Sequence, residues 1–168
     1  RYTDEEKKID GSSFGLPGKN KIDESEFTPK IGLDYYMTDD VFVYGSISEG
    51  FKSGGVNFAP SPPGTLSTSE FDPEYLTAYE VGIKSDWLDN TLRVNASLVY
   101  YDYDDLQVQS FENNVVTIHN AASADINGME LELSYLPTAN WQFDAAIAWL
   151  DATYDKFENN SEDGVTSD

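Results

Sequence analysis

The sequence predicts an all-β fold, an antiparallel transmembrane β-barrel segment of about six to seven strands. Three observations predict it: apolar and polar side chains alternate, aromatic residues stand at strand ends, and short turns alternate with long polar loops. Because successive side chains of a strand point to opposite faces, such alternation gives one face to lipid and the other to water or polar protein. Residues 79–87 show it most clearly, with Tyr79, Val81, Ile83, Ser85 and Trp87 on one face and Glu80, Gly82, Lys84 and Asp86 on the other.

The first part of the chain is predicted to alternate strands with polar loops. Residues 1–9 end an interrupted strand, and a loop rich in Gly, Ser and Lys follows to about residue 24. Strands 27–37 and 41–52 flank a turn whose composition is Thr-Asp-Asp. Residues 53–73 are rich in Gly, Pro and Ser. Because proline lacks the amide hydrogen that a ladder uses, we expect a loop there.

Four further strands are predicted, at 74–87, 91–109, 119–135 and 141–156. Short turns near 89 and 139 join the first pair and the last pair, a longer loop covers 110–118, and an acidic loop covers 158–168. Outer-membrane barrels have this asymmetry, with short periplasmic turns and long extracellular loops.

Composition excludes several classes of function. The 168 residues carry 10 basic and 31 acidic side chains, a net charge of −21, which argues against binding nucleic acid. The chain has no Cys and one His, so thiolate or imidazole metal sites and a Ser-His-Asp triad have little to draw on. We therefore expect no catalytic residues, no metal site and no cofactor.

Aromatic residues mark the expected membrane boundaries. Tyr79 and Trp87 share a face and lie eight residues apart, as do Trp141 and Trp149. Eight residues span about 26 Å along a strand and roughly 20 Å along the membrane normal once the strand tilts. We predict a girdle in which Trp87 and Trp141 mark the periplasmic side and Tyr79, Tyr100 and Trp149 the outer side.

Six segments, in order, carry a resemblance to one family. The segment Tyr-Glu-Val-Gly-Ile-Lys at 79–84 resembles a barrel motif of TonB-dependent outer-membrane receptors, and Asn-Gly-Met-Glu-Leu-Glu at 127–132 fits the same pattern. The other matching segments are 1–3, 27–33, 44–55 and 71–74. Together they cover nearly the whole chain.

The resemblance implies a barrel of about 22 strands filled by a plug domain. Such a receptor lies in the bacterial outer membrane, contacts its lipid, and imports a scarce large nutrient such as a ferric siderophore with energy from TonB. Six or seven strands cannot close a barrel without leaving open edges in lipid. Residues 1–168 are therefore expected to be a partial barrel domain, with the plug, the TonB box and the remaining strands outside this chain.

The resemblance also assigns roles to lumen residues. Family glutamates at the positions of Glu80 and Glu130 pair with plug arginines, and an unpaired buried carboxylate would be unfavourable. We predict that both contact the plug, with Lys84 and Arg93 completing the network. Solvated lumen side chains are the alternative for all four.

Substrate contacts are expected from the extracellular loops and the upper lumen, where aromatic rings can stack on a large ligand. The candidates are Phe58, Phe71, Tyr101, Tyr103 and Phe111. The acidic groups at 102–105 and 158–163 offer oxygen ligands for Ca²⁺, but neither has EF-hand spacing, and solvated charge is the better interpretation.

Two other classes of protein remain open from sequence. A passive outer-membrane porin would lack the plug and energy coupling. A soluble extracellular carbohydrate-binding β-sandwich would use its aromatic residues as a core, and it would stay in the aqueous fraction where a barrel segment needs detergent.

Overall fold

The computed structural model describes the backbone of residues 1–13, 16–61, 65–112 and 115–157, and the side chains of 1–9, 19–59, 66–111 and 115–155. Across these residues the chain forms ten β-strands. They are β1 (Tyr2–Ser13), β2 (Leu16–Phe27), β3 (Lys30–Thr38), β4 (Val41–Lys52), β5 (Gly55–Ser61), β6 (Thr65–Phe71), β7 (Glu74–Trp87), β8 (Leu92–Glu112), β9 (Val115–Thr138) and β10 (Trp141–Phe157). Within the described ranges no helix is long and apolar enough to cross a membrane.

Six strands of the described chain form one antiparallel sheet in the order β10-β9-β8-β7-β4-β3. Two hairpins, β1–β2 and β5–β6, stand outside it as two-stranded sheets. The β5–β6 hairpin lies in the connection between β4 and β7, which pair with each other. The main sheet is therefore an up-and-down meander interrupted by one ribbon, and the predicted all-β antiparallel fold is confirmed.

The prediction of two loops before residue 74 is wrong, because both segments are largely β-strand. Residues 10–24 belong largely to the β1–β2 ribbon, and most of residues 53–73 form the β5–β6 ribbon. Pro60 pairs with Leu66 near the tip of β5–β6. A strand of a two-stranded ribbon has one free edge, so a missing amide hydrogen is tolerated there. The composition of these segments also led to the prediction of loops, because a ribbon with water on both faces needs no alternation of apolar and polar residues.

Strands β8 and β9 are longer than predicted. β8 runs to Glu112 and β9 begins at Val115, so most of the predicted loop at 110–118 is strand; residues 113 and 114 lie outside the described residues. Pairing continues from Leu106↔Ala122 to Glu112↔Val115 after an irregularity at Asp105, whose φ is 54°. The acidic loop at 158–168 also lies outside the described residues.

The turn between β7 and β8 is tight and left-handed. Leu88, Asp89 and Asn90 have φ of 55°, 55° and 64°. Asp and Asn tolerate this region better than most residues, and the Thr91 hydroxyl donates to Leu88 O at 2.7 Å to close the turn. All three predicted short turns lie at one end of the sheet, opposite the two ribbons.

The sheet holds almost no apolar core. Among the described side chains, Ala122 is the one buried apolar residue, and no large side chain is fully buried. Leu33 is 79% exposed and Ile31 71% exposed. The apolar side chains of this sheet are therefore largely exposed.

Candidate functional site

Cross-strand register collects the apolar residues on one face of the main sheet. Gly45, Val81, Leu98, Met129 and Trp149 lie side by side across five strands. Val81, Leu98 and Trp149 are each between 54% and 55% exposed. Such a continuous apolar face requires a non-aqueous neighbour.

Aromatic side chains border this face at its turn end. The indole Nε1 of Trp87 donates to Ser85 Oγ at 2.9 Å, and Ser85 Oγ donates to Val94 O at 2.9 Å. Trp141 stacks on Phe143 with ring centroids 6.1 Å apart. The polar atom of Trp87 is thus satisfied within the protein, which suits a residue at a lipid interface.

The opposite border is formed by Tyr79 and Tyr100, whose ring centroids are 5.8 Å apart. The Tyr100 hydroxyl donates to Asp125 Oδ1 at 2.7 Å. Tyr100 is opposite Asn127, whereas Trp149 is opposite Met129. Trp149 therefore lies two residues nearer the turns than the row of Tyr79 and Tyr100.

Trp141 is displaced by two residues in the same direction, because Phe143 and not Trp141 shares the row of Trp87. Tilted strands produce such a shift of Trp149 and Trp141 by the same two residues. When strands tilt, residues at one depth in the membrane do not lie directly opposite each other in the cross-strand register. The predicted girdle pairs Tyr79–Trp87 and Trp149–Trp141 thus bound bands of the same length on β7 and β10.

The other face carries a notch of about 170 Å³. The Tyr44 hydroxyl donates to Glu80 Oε1 at 2.7 Å, and Lys84 Nζ lies 5.7 Å from the centroid of the Tyr44 ring. The polar residues that line the notch are Tyr44, Glu80, Lys84, Asn95, Ser97, Glu130 and Glu132. Three carboxylates face one ammonium group, so the notch has a net negative charge.

The notch also has spare hydrogen-bond acceptors. Asn95 Nδ2 donates to Glu132 Oε2 at 3.3 Å. Asn95 Oδ1 is buried, with no hydrogen-bond partner in the described part of the chain. Buried acceptors are normally satisfied, so the notch suits a donor-rich cation from the lumen.

The predicted lumen residues separate into two groups. Glu80, Glu130 and Lys84 all line the notch. Arg93 instead pairs with Asp86 near the turns, with Nε donating to Oδ1 at 2.8 Å and an Nη to Oδ2 at 3.3 Å. The structure thus brings Lys84 to the two glutamates and places Arg93 in a separate ion pair.

Sequence reasoning missed Tyr44, Asn95 and Glu132 as members of the notch. Tyr44 is opposite Gly82 across a connection that contains the whole β5–β6 ribbon. Asn95 and Glu132 are opposite each other on β8 and β9. The available signal was their shared parity with the lumen residues, but parity alone does not give cross-strand register.

Amide side chains fix the β5–β6 ribbon to β9. Asn57 Nδ2 donates to Ile118 O and Asn57 Oδ1 accepts from Ile118 N, both at 2.8 Å. Asn120 makes the equivalent pair of bonds with the backbone of Asp72, at 2.8 and 2.9 Å. The ribbon is therefore held in a defined position.

The β1–β2 ribbon is fixed to the same region by charged groups. Lys7 Nζ donates to Ser53 Oγ at 2.6 Å and to Gly54 O at 2.8 Å, while Glu24 accepts from Gly54 N at 3.0 Å. The Tyr75 hydroxyl donates to Glu26 Oε1 at 2.7 Å. This hydrogen bond, together with burial, raises the pKa of Tyr75 to about 12.

The five aromatic substrate candidates do not converge. Tyr101 and Tyr103 are half-buried at lumen-side positions opposite Ala78 and Leu76. Phe71 packs over Gly55, where a Cβ would meet the ring. Phe58 is half-buried on β5, and Phe111 is 70% exposed near the end of β8.

Acidic residues gather just beyond the outer aromatic border. Asp102 is opposite Asp125 on the apolar-side parity. Desolvation and the nearby Asp104, Asp125 and Asp155 raise the pKa of Asp102 above its ordinary value. Among the described residues, no cluster of three or more His, Cys, Asp or Glu forms a metal site.

An antiparallel sheet with an apolar outer face between aromatic borders, a charged inner face, short turns at one end and ribbons at the other is the wall of an outer-membrane β-barrel. A family model described as "TonB dependent receptor-like, beta-barrel" matches residues 1–167. The chain belongs to this family, and its location is the outer membrane of Gram-negative bacteria.

Known relatives agree with this assignment. The chain is 32% identical over 139 residues to the pesticin receptor of Yersinia enterocolitica, a match of 83% of this chain and 19% of that protein. It is 25% identical over 160 residues to PiuA of Acinetobacter baumannii, a probable TonB-dependent siderophore receptor, covering 94% of this chain and 21% of that protein. The chain thus spans about a fifth of the length of these relatives.

A solved structure supports the fold. The crystal structure of the ferric yersiniabactin uptake receptor FyuA from Yersinia pestis matches with a TM-score of 0.70 at 24% identity. The match covers 93% of this chain and 24% of that one. The described chain therefore shares the fold of part of that structure.

Proposed function

We propose that this chain forms part of the wall of an active-transport receptor. The receptor imports a scarce, large metal chelate, such as a ferric siderophore, with energy delivered by TonB. The notch around Glu80 carries the proposal, because its net negative charge and the unpartnered Asn95 Oδ1 favour a donor-rich cationic partner in the lumen. The relative PiuA, named as a probable TonB-dependent siderophore receptor, supports the class of substrate.

In this proposal residues 1–168 are a partial barrel domain. The plug, the segment that binds TonB and the remaining strands of a barrel of about 22 belong to the rest of the receptor. The free edges of β3 and β10 in the described sheet are where neighbouring strands would pair, since lipid cannot satisfy their backbone groups.

Glu80 and Glu130 are the proposed contacts to the plug. Both line the notch, where two carboxylates close together favour a donor-rich cation such as a guanidinium group. Lys84 limits the net charge of the notch. Arg93 lies outside the notch, and we assign it to stabilising the turn end through Asp86.

Tyr101 and Tyr103 are the proposed substrate contacts in the upper lumen. They follow the notch along β8 toward the ribbons, where an entering ligand would meet them. Phe58, Phe71 and Phe111 do not converge with them and are proposed as separate contacts on the extracellular side, with Phe71 supporting the ribbon through Gly55.

An uptake assay with the full receptor tests the proposal. Cells that lack other siderophore receptors would be given a panel of radiolabelled ferric chelates, with and without TonB. We expect receptor-dependent uptake of at least one chelate, and its loss when TonB is deleted. Uptake that persists without TonB would support a passive porin instead.

A further inference from the structure

Tyr44 occupies a special position in the notch. Its ring lies over Gly82, where a Cβ would approach Tyr44 Cε1, Cζ and Oη at 2.5 Å. A glycine inside a strand marks a point of close approach. Any larger residue at position 82 would displace the ring, so Gly82 and Tyr44 form a matched pair across β4 and β7.

The ring separates two opposite charges on β7. Glu80, Gly82 and Lys84 point to the same face, and the Tyr44 ring fills the gap that Gly82 leaves between the other two. The hydroxyl holds Glu80 Oε1 at 2.7 Å, while Lys84 Nζ is 5.7 Å from the ring centroid. The Glu80 carboxylate is thereby oriented by a neutral group rather than by the lysine.

We propose that Tyr44 is a positioning residue that presents Glu80 to the cationic group of the plug. One carboxylate oxygen is engaged by the hydroxyl, and the other is left for the lumen partner. Orienting a long, flexible carboxylate in advance lowers the entropy lost when the contact forms. The inference rests on the proposed contact between Glu80 and the plug.

Hydrogen–deuterium exchange of plug amides in the full-length receptor tests this role. We expect Tyr44→Phe, which keeps the ring and removes the hydroxyl, to speed exchange of the plug segment facing β7 by about three- to tenfold. Gly82→Ala should do the same by displacing the ring. Tyr36→Phe is the matched control, because Tyr36 is on the same face and packs on Phe42 at 4.8 Å between ring centroids.

A double-mutant cycle separates positioning from a general structural effect. Adding Tyr44→Phe to Glu80→Ala should leave exchange at the rate of Glu80→Ala alone, since no carboxylate remains to orient. An equal effect of Tyr44→Phe in both backgrounds would overturn the proposal. So would unchanged exchange in Tyr44→Phe when Glu80→Ala does change it.

The same cycle tests the underlying contact. If Glu80→Ala leaves plug exchange unchanged, the proposed plug contact itself is wrong and the positioning role fails with it. The midpoint of heat unfolding of the barrel is measured in every variant. Tyr44→Phe should leave that midpoint within the range of the Tyr36→Phe control, whereas a structural role would lower it.

Discussion

Asn120 binds both backbone polar groups of Asp72, accepting from its N at 2.8 Å and donating to its O at 2.9 Å. A third bond runs from Asn120 Nδ2 to Asp105 O at 2.7 Å. One side chain thus joins the end of the β5–β6 ribbon to β9 and to the irregular point of β8. The ribbon stands above the membrane band, so its order depends on such bonds rather than on lipid.

Replacing Asn120 should loosen the ribbon without affecting the barrel. We expect Asn120→Ala to cost about 1 kcal/mol of local stability, because it leaves backbone groups of Asp72 and Asp105 without their partner. Limited proteolysis of whole cells should then cleave within residues 55–71 faster, while heat unfolding of the barrel stays the same. Asn20→Ala is the control, since Asn20 reaches the ribbon through one exposed hydrogen bond, to Glu70 at 3.5 Å, and its other bond is to the neighbouring Lys21 N. Equal cleavage in both variants would contradict this role.

An added charge should lower the stability of the barrel much more on the apolar face of the main sheet than on the lumen face. Leu98 and Ser97 are neighbours on β8 and point to the apolar and the lumen face respectively. Leu98→Arg should destabilise the barrel by about 2–4 kcal/mol, the cost of an arginine facing the bilayer near its middle. Ser97→Arg should cost much less. Folding yield into lipid vesicles measures both, and similar yields would contradict the assignment of faces.

The Tyr75 hydroxyl should lose its proton at a higher pH than an ordinary tyrosine. Because its folded pKa is raised to about 12 from 10.0, the stability it contributes is complete below pH 10 and is lost as pH rises toward 12. The phenolate absorbance of the receptor minus that of Tyr75→Phe should show a midpoint near 12. A midpoint near 10 would show that the bond to Glu26 is absent in solution.

Asp102 should destabilise the folded receptor at neutral pH. Its folded pKa lies above the ordinary 3.8, so stability is highest below that pH and falls as pH rises through the folded value. Asp102→Asn cannot ionise, so we expect a higher unfolding temperature at pH 7 and little difference near pH 3. Asp39→Asn in the exposed turn is the control. A stabilisation that is the same at both pH values would contradict a charge effect.

Sequence predicted the membrane-spanning strands best. The bounds of β4 and β7 agree with the prediction because one side of each strand faces lipid and the other a polar lumen, which enforces alternation. The ribbons β1–β2 and β5–β6 carry no such constraint, and prolines such as Pro60 led to the prediction of a loop. Local composition does not reveal pairing that is held by side chains elsewhere, such as Asn57 and Asn120.

The candidate site was predictable in part for the same reason. Parity alone placed Glu80, Glu130 and Lys84 on the lumen face, and all three line the notch. The roles of Tyr44 and Gly82 depend on register between β4 and β7, which are separated along the chain by a ribbon. Arg93 is on the lumen-facing side of β8, but it lies nearer the turns than the notch does and pairs with Asp86.

Site-directed cysteine cross-linking tests the central claim most directly. The 168 residues contain no cysteine, and any cysteine in the rest of the receptor is first replaced by serine. Glu80→Cys and Val81→Cys are then introduced separately into the full receptor together with cysteines in the plug. The account predicts that position 80 forms a disulfide with the plug, while a spin label at position 81 is accessible to lipid-dissolved oxygen and forms no such cross-link. Cross-linking of position 81 to the plug, or lipid exposure of position 80, would contradict it.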